Sequence, residues 1–343
     1  MAPLPQPTQP TIEAIYRAYE QAREPERSHL GASLIGRECE RALWYSFRWA
    51  TDVKHPGRVL RLFERGQREE DVFNANLRAI GIEVQELDPR TGKQWNFKAI
   101  GGHFGLSLDG IALGILEAPK TWHSLEYKTS SNKLFEKLKS EGIEKAKPEH
   151  YAQIQIGLHL SGLTRCFYLV VNKDTDELYS ERVRYDKAIG EAILAKAERI
   201  ISAQEPPPRL SERPDWWQCR FCDHKATCHE QAIPEVNCRT CLHSTPETDV
   251  DARWSCARFR CDLPVDVQRA GSQCPSHRFI PALLPWKAID ASETDNWIQY
   301  ENGIVNGASS GGYHSREIRA NPALCADPLV TQMKTALDAE VVA

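Results

Sequence analysis

Apolar residues recur at helical spacing over the first eighty residues and at strand spacing after them. The clearest helical stretch places apolar residues three and four positions apart from Val59 to Ile80, and Gly81 is positioned to end it. Short segments separated by Gly, Pro and Asp follow, which is typical of a hairpin-rich sheet. The pattern predicts helices over 11–23, just after Gly36 and over 59–80, then strands over 82–87, 94–100, 103–108, 111–116 and 122–128.

Helices and strands alternate again further along the chain. The pattern predicts helices over 134–140, 148–160 and 187–204, with strands over 165–171 and 178–185. Three consecutive prolines, Pro206 to Pro208, then end the regular structure because proline fixes φ and lacks an N–H donor. The predicted fold class is α/β, with a mixed central sheet flanked by helices and a small Cys-rich, metal-binding region towards the C-terminus.

Changes in composition predict four regions. Residues 1–10 are rich in proline and are expected to be disordered. Residues 11–233 form the predicted α/β domain, and residues 234–284 form a zinc-binding module. Residues 285–343 are weakly patterned, with Ser309, Ser310, Gly311 and Gly312 in a row, and are expected to form a flexible tail.

Charge and hydropathy narrow the choice of partners. The 343 residues carry a net charge of −4, so no overall positive field indicates a nucleic-acid partner. The start of the chain does not have the pattern of a signal peptide, and the apolar run 166–171 is too short to span a bilayer. We therefore expect a cytoplasmic protein with no membrane partner. One local basic stretch can either line a phosphate groove or form a solvated helix face; its arginines are Arg58, Arg61, Arg65 and Arg68.

Three residues at predicted strand ends carry candidate chemistry. Asp109 follows one strand in the sequence SLDG, and Glu126 and Lys128 alternate on another in LEYKTS. Alternation places Glu126 and Lys128 on one face of the strand and Tyr127 on the other. Carboxylates suit Mg²⁺ or Mn²⁺, which lowers the pKa of a bound water, and a lysine can orient that water. The alternative is an ordinary surface salt bridge between Glu126 and Lys128.

The order of these motifs along residues 28–230 resembles the PD-(D/E)XK nucleases, especially the RecB-type branch and the lambda-exonuclease-like phage enzymes. That resemblance aligns a Gly-x-x-x-Glu helix motif with Gly66 and Glu70. It implies that metal is held by Glu70, Asp109, Glu126 and Tyr127, and that the catalytic residues are Glu70, Asp109, Glu126, Lys128 and Gln153. The family's Gln-x-x-x-Tyr motif begins at Gln153 but has Gly157 in place of the tyrosine, which leaves Gln155 as a competing candidate.

The cysteines form two sets whose short, regular spacings favour metal sites over disulfides. The first set is Cys219-x2-Cys222-x5-Cys228, and its best fourth ligand is the distant Cys39. This arrangement resembles Fe–S-stapled RecB-type nucleases, in which one early cysteine joins three late ones around a [4Fe–4S] cluster. Four thiolates also suit Zn²⁺, and His229 next to Cys228 allows a Cys/His zinc site instead.

The second set has the spacing of a zinc ribbon or finger. Its candidate ligands are Cys238, Cys241, Cys256, Cys274 and His277, with Cys261 and His243 as alternatives. The competing interpretation is a group of reduced cysteines that binds no metal. We expect Cys166 and Cys325 to be structural. His29 and His103 are not assigned to the core site, because histidines that cap a helix or are fully hydrogen-bonded are commoner than catalytic ones.

The resemblance implies a DNA exonuclease of phage-type recombination, replication or repair, in which a metal-activated water hydrolyses the phosphodiester bond. Its expected partners are DNA, as single strands or duplex ends, and a single-strand-annealing or single-strand-binding recombination protein. Two alternatives stay open: a non-catalytic zinc or Fe–S protein that binds nucleic acid on a degenerate nuclease fold, and a restriction-type endonuclease.

Overall fold

The computed structural model describes residues 9–22, 27–249, 251–307 and 311–341. Its helices are α1 (Pro10–Gln21), α2 (Ala32–Ile35), α3 (Glu40–Phe47), α4 (Gly57–Ala79), α5 (Asn132–Ala146), α6 (Pro148–Ser161), α7 (Lys187–Ser202), α8 (Trp217–Arg220), α9 (Lys225–His229), α10 (Val265–Arg269), α11 (Ser315–Ala320), α12 (Pro322–Cys325) and α13 (Pro328–Leu337). Its strands are β1 (Leu30–Gly31), β2 (Glu83–Gln85), β3 (Leu87–Asp88), β4 (Lys93–Gln94), β5 (Asn96–Ala99), β6 (Phe104–Ser107), β7 (Gly110–Leu113), β8 (His123–Ser130), β9 (Arg165–Asn172), β10 (Leu178–Arg184), β11 (Ser244–Pro246), β12 (Trp254–Cys256), β13 (Cys261–Asp262), β14 (Ala288–Ser292), β15 (Trp297–Tyr300) and β16 (Val305–Gly307).

The chain therefore has the mixed α/β composition that its pattern predicts. It divides into two compact units. The first unit contains the described residues within 1–26, 54–97 and 106–191, and the second contains those within 27–53, 98–105 and 192–343. No helix in the described part of the chain is long and apolar enough to cross a membrane.

A five-stranded sheet in the order β10-β9-β8-β7-β2 organises the first unit. β8 and β9 are parallel and the other neighbouring strands are antiparallel, so the sheet is mixed. Apolar side chains cover both faces because successive residues of β9 alternate between two core clusters. Phe167 and Leu169 pack on the α4 side with Phe73, whereas Tyr168 and Val170 pack in the other cluster.

Only part of the apolar pattern predicted for the long helix α4 is buried. Phe73 and Leu77 of α4 are buried, but Leu62 and Phe63 in its N-terminal half are exposed. The short predicted helix over 134–140 is extended to Ala146 as α5, with a break at Gly142, where φ is 74°. There the Glu181 carboxylate accepts the Ile143 N–H at 2.8 Å, which satisfies a donor that the broken helix leaves free.

The second unit contains two small antiparallel sheets, β11-β12-β13 and β14-β15-β16. Residues 285–343 are predicted to form a flexible tail, but the described residues of this range contain the second of these sheets and three helices. Ser309 and Ser310 lie outside the described residues. The regular structure of this region is explained by an apolar core that includes Phe279, Tyr300 and Ile318. The sequence pattern did not reveal it because its members come from short, irregular segments.

Polar side chains are also buried in the second unit. Arg239 is 1% exposed, and its guanidinium donates to the carbonyl oxygens of Phe47 at 2.8 Å and Ser28 at 2.9 Å and to Gln268 Oε1 at 2.7 Å. The same guanidinium lies 3.6 Å from the centroid of the Trp49 ring. Burying a cation is costly unless it is hydrogen-bonded, and each of the three guanidinium nitrogens of Arg239 has a partner. Arg239 thereby links these segments.

Candidate active site

A cluster of carboxylates around Glu126 lies in the first unit. Glu126 is on β8 and is only 4% exposed. Lys128 Nζ donates to Glu126 Oε1, and Gln153 Nε2 of α6 donates to Glu126 Oε2 at 3.1 Å. Lys128 and Gln153 therefore contact the same carboxylate, although they are distant in sequence from each other.

Asp109 is held beside this carboxylate by the backbone. It lies in the tight connection between β6 and β7, and its Oδ2 accepts the Tyr127 N–H at 2.7 Å. The following Gly110 permits the close packing, since a Cβ at that position would be 3.2 Å from the carbonyl oxygen of Gln85. The SLDG sequence thus positions a carboxylate against the main chain of β8.

Burial raises the pKa of three carboxyl groups here. Burial and the nearby charge of Asp109 raise the pKa of Glu70 to about 7. Burial raises the pKa of Glu126 to about 7, with Lys128 opposing the shift and Asp109 adding to it. The pKa of Asp109 is also raised by burial, against the opposing effect of Lys128. Crowded carboxylates of this kind are what a divalent cation stabilises, so the donor set fits Mg²⁺ or Mn²⁺.

The pKa of Lys128 responds in the opposite sense. Burial lowers it, but the charges of Glu126, Asp109 and Glu70 outweigh that effect, and the net shift is upward. Lys128 therefore stays an ammonium group. The two residues of the Glu-x-Lys pair form a partly buried ion pair, in which the Glu126 side chain is 5% exposed and the Lys128 side chain is 28% exposed.

The side chains of Tyr127 and Gln155 make their hydrogen bonds outside the carboxylate cluster. The Tyr127 side chain turns away from the carboxylates, packs on Phe73 and donates to Asn74 Oδ1 at 2.7 Å. Only its main chain could contact a metal. Gln155, the competing candidate, is buried: its Nε2 donates to the Arg184 carbonyl at 2.8 Å, and its Oε1 accepts the Asp186 N–H at 2.8 Å.

Gly157 occupies the position at which the Gln-x-x-x-Tyr motif has its tyrosine. A Cβ at this position of α6 would be 3.5 Å from Leu108 and 3.7 Å from Leu106, both of which are buried. A tyrosine ring would need the space that these leucines fill. The Cβ distances themselves are ordinary van der Waals contacts, so the packing around this position does not require a glycine.

The four arginines that were candidates for DNA contact occupy one exposed face of α4. Their spacing, at 58, 61, 65 and 68, keeps them together at roughly 100° per residue, whereas Glu70 lies with Phe73 and Leu77 on the other side of the helix. Arg68 pairs with Glu64 one turn earlier. The structure thus separates these arginines from the carboxylate cluster.

The first cysteine set surrounds one cavity in the second unit. Cys39, Cys219, Cys222 and Cys228 all line it, and it holds about 290 Å³ of empty space. His224 also lines it, a residue that the motif analysis missed; it is 1% exposed and its Nε2 is 2.9 Å from Ser46 Oγ. Burial lowers the pKa of His224 to about 4. His229 lies on the same wall.

The second cysteine set surrounds a different cavity of the same unit, which holds about 830 Å³ of empty space. Its walls include His243 and all five cysteines of this region, Cys238, Cys241, Cys256, Cys261 and Cys274. His277 also lines it, but Ser315 Oγ lies 2.8 Å from its Nδ1 and the Asn237 carbonyl oxygen lies 3.0 Å from its Nε2. Both ring nitrogens of His277 are therefore already engaged.

Neither set is drawn together tightly. Among the described residues, no three His, Cys, Asp or Glu side chains form a group that could hold a metal ion as placed, and this includes the carboxylates of Glu70, Asp109 and Glu126. The fit to a metal consequently depends on the donor chemistry, since each cavity has at least four thiols on its walls.

The chain was compared with protein families, curated proteins and solved structures. No protein-family model matches the chain, and no curated protein matches it. The chain is similar to the crystal structure of SSO0001, with 15% identity, a TM-score of 0.39, and coverage of 64% of this chain and 96% of that one. It is also similar to the alkaline exonuclease LHK-Exo from Laribacter hongkongensis. The LHK-Exo complex with dAMP gives 19% identity, a TM-score of 0.38, and coverage of 55% and 90%.

Proposed function

We propose that this protein is a divalent-metal-dependent deoxyribonuclease of the PD-(D/E)XK type that acts on DNA ends. The observation that carries the proposal is the convergence on Glu126 of Lys128, from the same strand face, and Gln153, from another helix. Asp109 and Glu70 add two more carboxyl groups whose pKa values are raised beside it. The order of these residues along the chain is the order of the family motifs.

Each side chain has a proposed role. Glu70, Asp109 and Glu126 would hold Mg²⁺ or Mn²⁺, which when bound lowers the pKa of a water and offsets charge on the scissile phosphate. Lys128 keeps its proton and orients the attacking water through its ammonium N–H groups. Gln153 fixes one oxygen of Glu126, which keeps that carboxylate aimed into the site, and it positions water or substrate.

The test uses end-labelled linear DNA and closed circular DNA with Mg²⁺, Mn²⁺ or Ca²⁺. We expect stepwise loss of nucleotides from linear DNA with Mg²⁺ or Mn²⁺ and no cleavage of circles. Cleavage of circles would instead support the restriction-type endonuclease. Binding of DNA without cleavage in any metal would support the non-catalytic nucleic-acid-binding protein.

We further propose that Cys39, Cys219, Cys222 and Cys228 bind a [4Fe–4S] cluster. Their shared cavity and the one-plus-three arrangement along the chain support this assignment. Protein purified without oxygen should be brown, and Cys39→Ser should bleach it as fully as Cys222→Ser does. Cys166→Ala, which changes a buried cysteine of β9, is the control and should keep the colour. A colourless protein with two zinc ions per chain would replace the Fe–S assignment by zinc.

For the second cavity we propose a zinc site formed by Cys238, Cys241, Cys256 and Cys274, with Cys261 as the alternative thiol. The engagement of both His277 nitrogens supports a site made of thiolates alone. Elemental analysis of the full chain should find zinc that mild EDTA treatment does not remove. The Cys241→Ser variant should lose that zinc, and an unchanged zinc content would leave these cysteines without a metal role.

A further inference from the structure

The second cysteine cavity has more potential metal ligands on its walls than the proposed zinc site uses. One tetrahedral Zn²⁺ takes four ligands, and the proposed site gives it four thiolates. Two further donor side chains, those of Cys261 and His243, line the same cavity of about 830 Å³. All five of its cysteines are free thiols, so none is tied up in a disulfide. The single zinc site therefore leaves two donors of this cavity without a role.

Local structure places three of the thiols together. Cys238 and Cys241 are joined by a single 3-10 turn, in which the Cys241 N–H donates to the Cys238 carbonyl at 3.1 Å. Cys274 follows another such turn, where a Cβ at Gly271 would be 2.5 Å from the Cys238 nitrogen. A side chain at position 271 would collide with that backbone, so glycine lets the turn before Cys274 pack directly on Cys238. Cys238, Cys241 and Cys274 form the first donor group.

A second donor group comes from the hairpin β12-β13. Cys256 and Cys261 are directly opposite each other in its antiparallel ladder, so their side chains lie on the same face of the hairpin. His243 is bonded to the same hairpin, because its carbonyl oxygen accepts the Ala257 N–H at 2.8 Å. Cys256, Cys261 and His243 therefore line the cavity as neighbours.

Hydrogen bonds orient His243 as a metal ligand. Asn296 Oδ1 lies 2.7 Å from His243 Nε2, and Asn296 Nδ2 donates to the Ser276 carbonyl at 3.2 Å, which fixes the orientation of the amide. An amide oxygen only accepts hydrogen bonds, so the ring hydrogen of neutral His243 is on Nε2 and the lone pair is on Nδ1. Metal-ligating histidines are held in this way through their second nitrogen. His277 of the same cavity, in contrast, has both nitrogens engaged.

We propose that the second cavity holds a second zinc ion, bound by Cys256, Cys261 and His243 Nδ1 and joined to the first ion by the shared Cys256 thiolate. This inference rests on the zinc site proposed above and adds a metal to it. Three protein ligands leave the fourth position of the second ion to water or to another shared thiolate. Because Cys261 is exposed, we expect the second ion to exchange with solvent more readily than the first.

The charge of the cavity favours two ions over one. Among the described residues that line it, the Arg258 guanidinium is a fixed cation and no carboxylate is present. Apolar side chains, among them Leu263 and Val267, form much of the remaining wall. Four thiolates and one Zn²⁺ carry two net negative charges, whereas five thiolates, a neutral histidine and two Zn²⁺ carry one. The smaller charge costs less to bury and is matched by Arg258.

The first measurement is the zinc content of the full chain, by elemental analysis and native mass spectrometry. We expect two zinc ions in the second cavity of the wild-type protein. Cys261→Ser and His243→Gln should each lower the content by one ion. Ser276→Ala changes a lining residue that is not a proposed ligand, so it is the matched control and should keep both ions. Cys39→Ser identifies any zinc of the first cavity, since it should leave the second cavity loaded.

The second measurement tests the ligands of the exchangeable ion without relying on a substitution. Mild EDTA should remove one zinc ion from the second cavity of the wild-type protein and leave the other. Co²⁺ added afterwards should refill the site, and the difference spectrum should show the absorption of tetrahedral cobalt with thiolate ligands. The same cobalt absorption should be present in Ser276→Ala and absent from Cys261→Ser and His243→Gln.

The outcomes separate the second ion from the first. If Cys241→Ser loses zinc while Cys261→Ser and His243→Gln keep the wild-type content, the second ion is overturned and the single zinc site stands. A single ion that is lost in all three variants would also overturn the pair, because it would place these donors around one zinc. Unchanged zinc content in all three variants would overturn the proposed zinc site, and the second ion with it.

Discussion

Along β9 of the first unit, successive apolar side chains enter two apolar cores, whereas three arginines are among the largest fully buried side chains of the second unit. Those arginines are Arg48, Arg239 and Arg278. The apolar cores tolerate many hydrophobic residues of suitable size. Buried guanidinium groups, in contrast, require carbonyl oxygens at fixed places, so the second unit depends on a few specific side chains.

The sharpest test of this contrast is Arg239→Ala. The change removes three hydrogen bonds, two of them buried, and the stacking on Trp49, and it takes the Arg239 donors away from the Phe47 and Ser28 carbonyl oxygens. We expect a loss of at least ~3 kcal/mol in the free energy of unfolding of the second unit. Hydrogen exchange followed by mass spectrometry should show lost protection in the second unit, while β8 and β9 stay protected.

Arg213→Ala is the matched control for that experiment. Arg213 belongs to the same unit, but its guanidinium forms an exposed salt bridge with Asp215. Such pairs contribute about 0–1 kcal/mol, so this variant should unfold almost as the wild type does. Equal effects of the two substitutions would show that burial of Arg239 does not stabilise the unit.

The same contrast explains what the sequence could predict. The sequence pattern identified β8, β9, β10, α6 and α7 within a few residues. Of these, β8 and β9 are buried along almost their whole length, whereas β10 buries only Val183. The Glu-x-Lys alternation also placed Glu126 and Lys128 together. Sequence spacing could not identify His224 or the order in residues 285–341, because their contacts join segments without a repeating pattern.

We expect Glu126→Gln and Lys128→Ala to lose DNA cleavage and to stay folded. Each removes a group that holds metal or orients water, so cleavage of linear DNA should fall by at least ~100-fold. Circular dichroism should stay unchanged because the apolar clusters of the first unit are intact. A folded variant with nearly wild-type cleavage would remove the residue from the active site.

The two glutamines of α6 should separate activity from stability. Gln153→Ala removes the donor to Glu126 and should lower the cleavage rate by about tenfold, with little change in stability. Gln155→Ala leaves the Arg184 carbonyl and the Asp186 N–H unsatisfied, so it should cost about 1–3 kcal/mol of stability. Its remaining folded fraction should cleave at the wild-type rate. The reverse result would exchange the roles of the two residues.

The smallest expected effect concerns the arginine face of α4, which lies away from Glu70. If Arg61 and Arg65 contact DNA phosphates, replacing either by alanine should lower the slope of log affinity against log salt by about 0.9. The control is Arg78→Ala on the same helix, since Arg78 already pairs with Glu86 and donates to the Val84 carbonyl at 3.0 Å. If all three variants keep the wild-type slope, the arginines form a solvated helix face. A lower slope for Arg61→Ala and Arg65→Ala alone would extend the DNA path from the carboxylate cluster along α4.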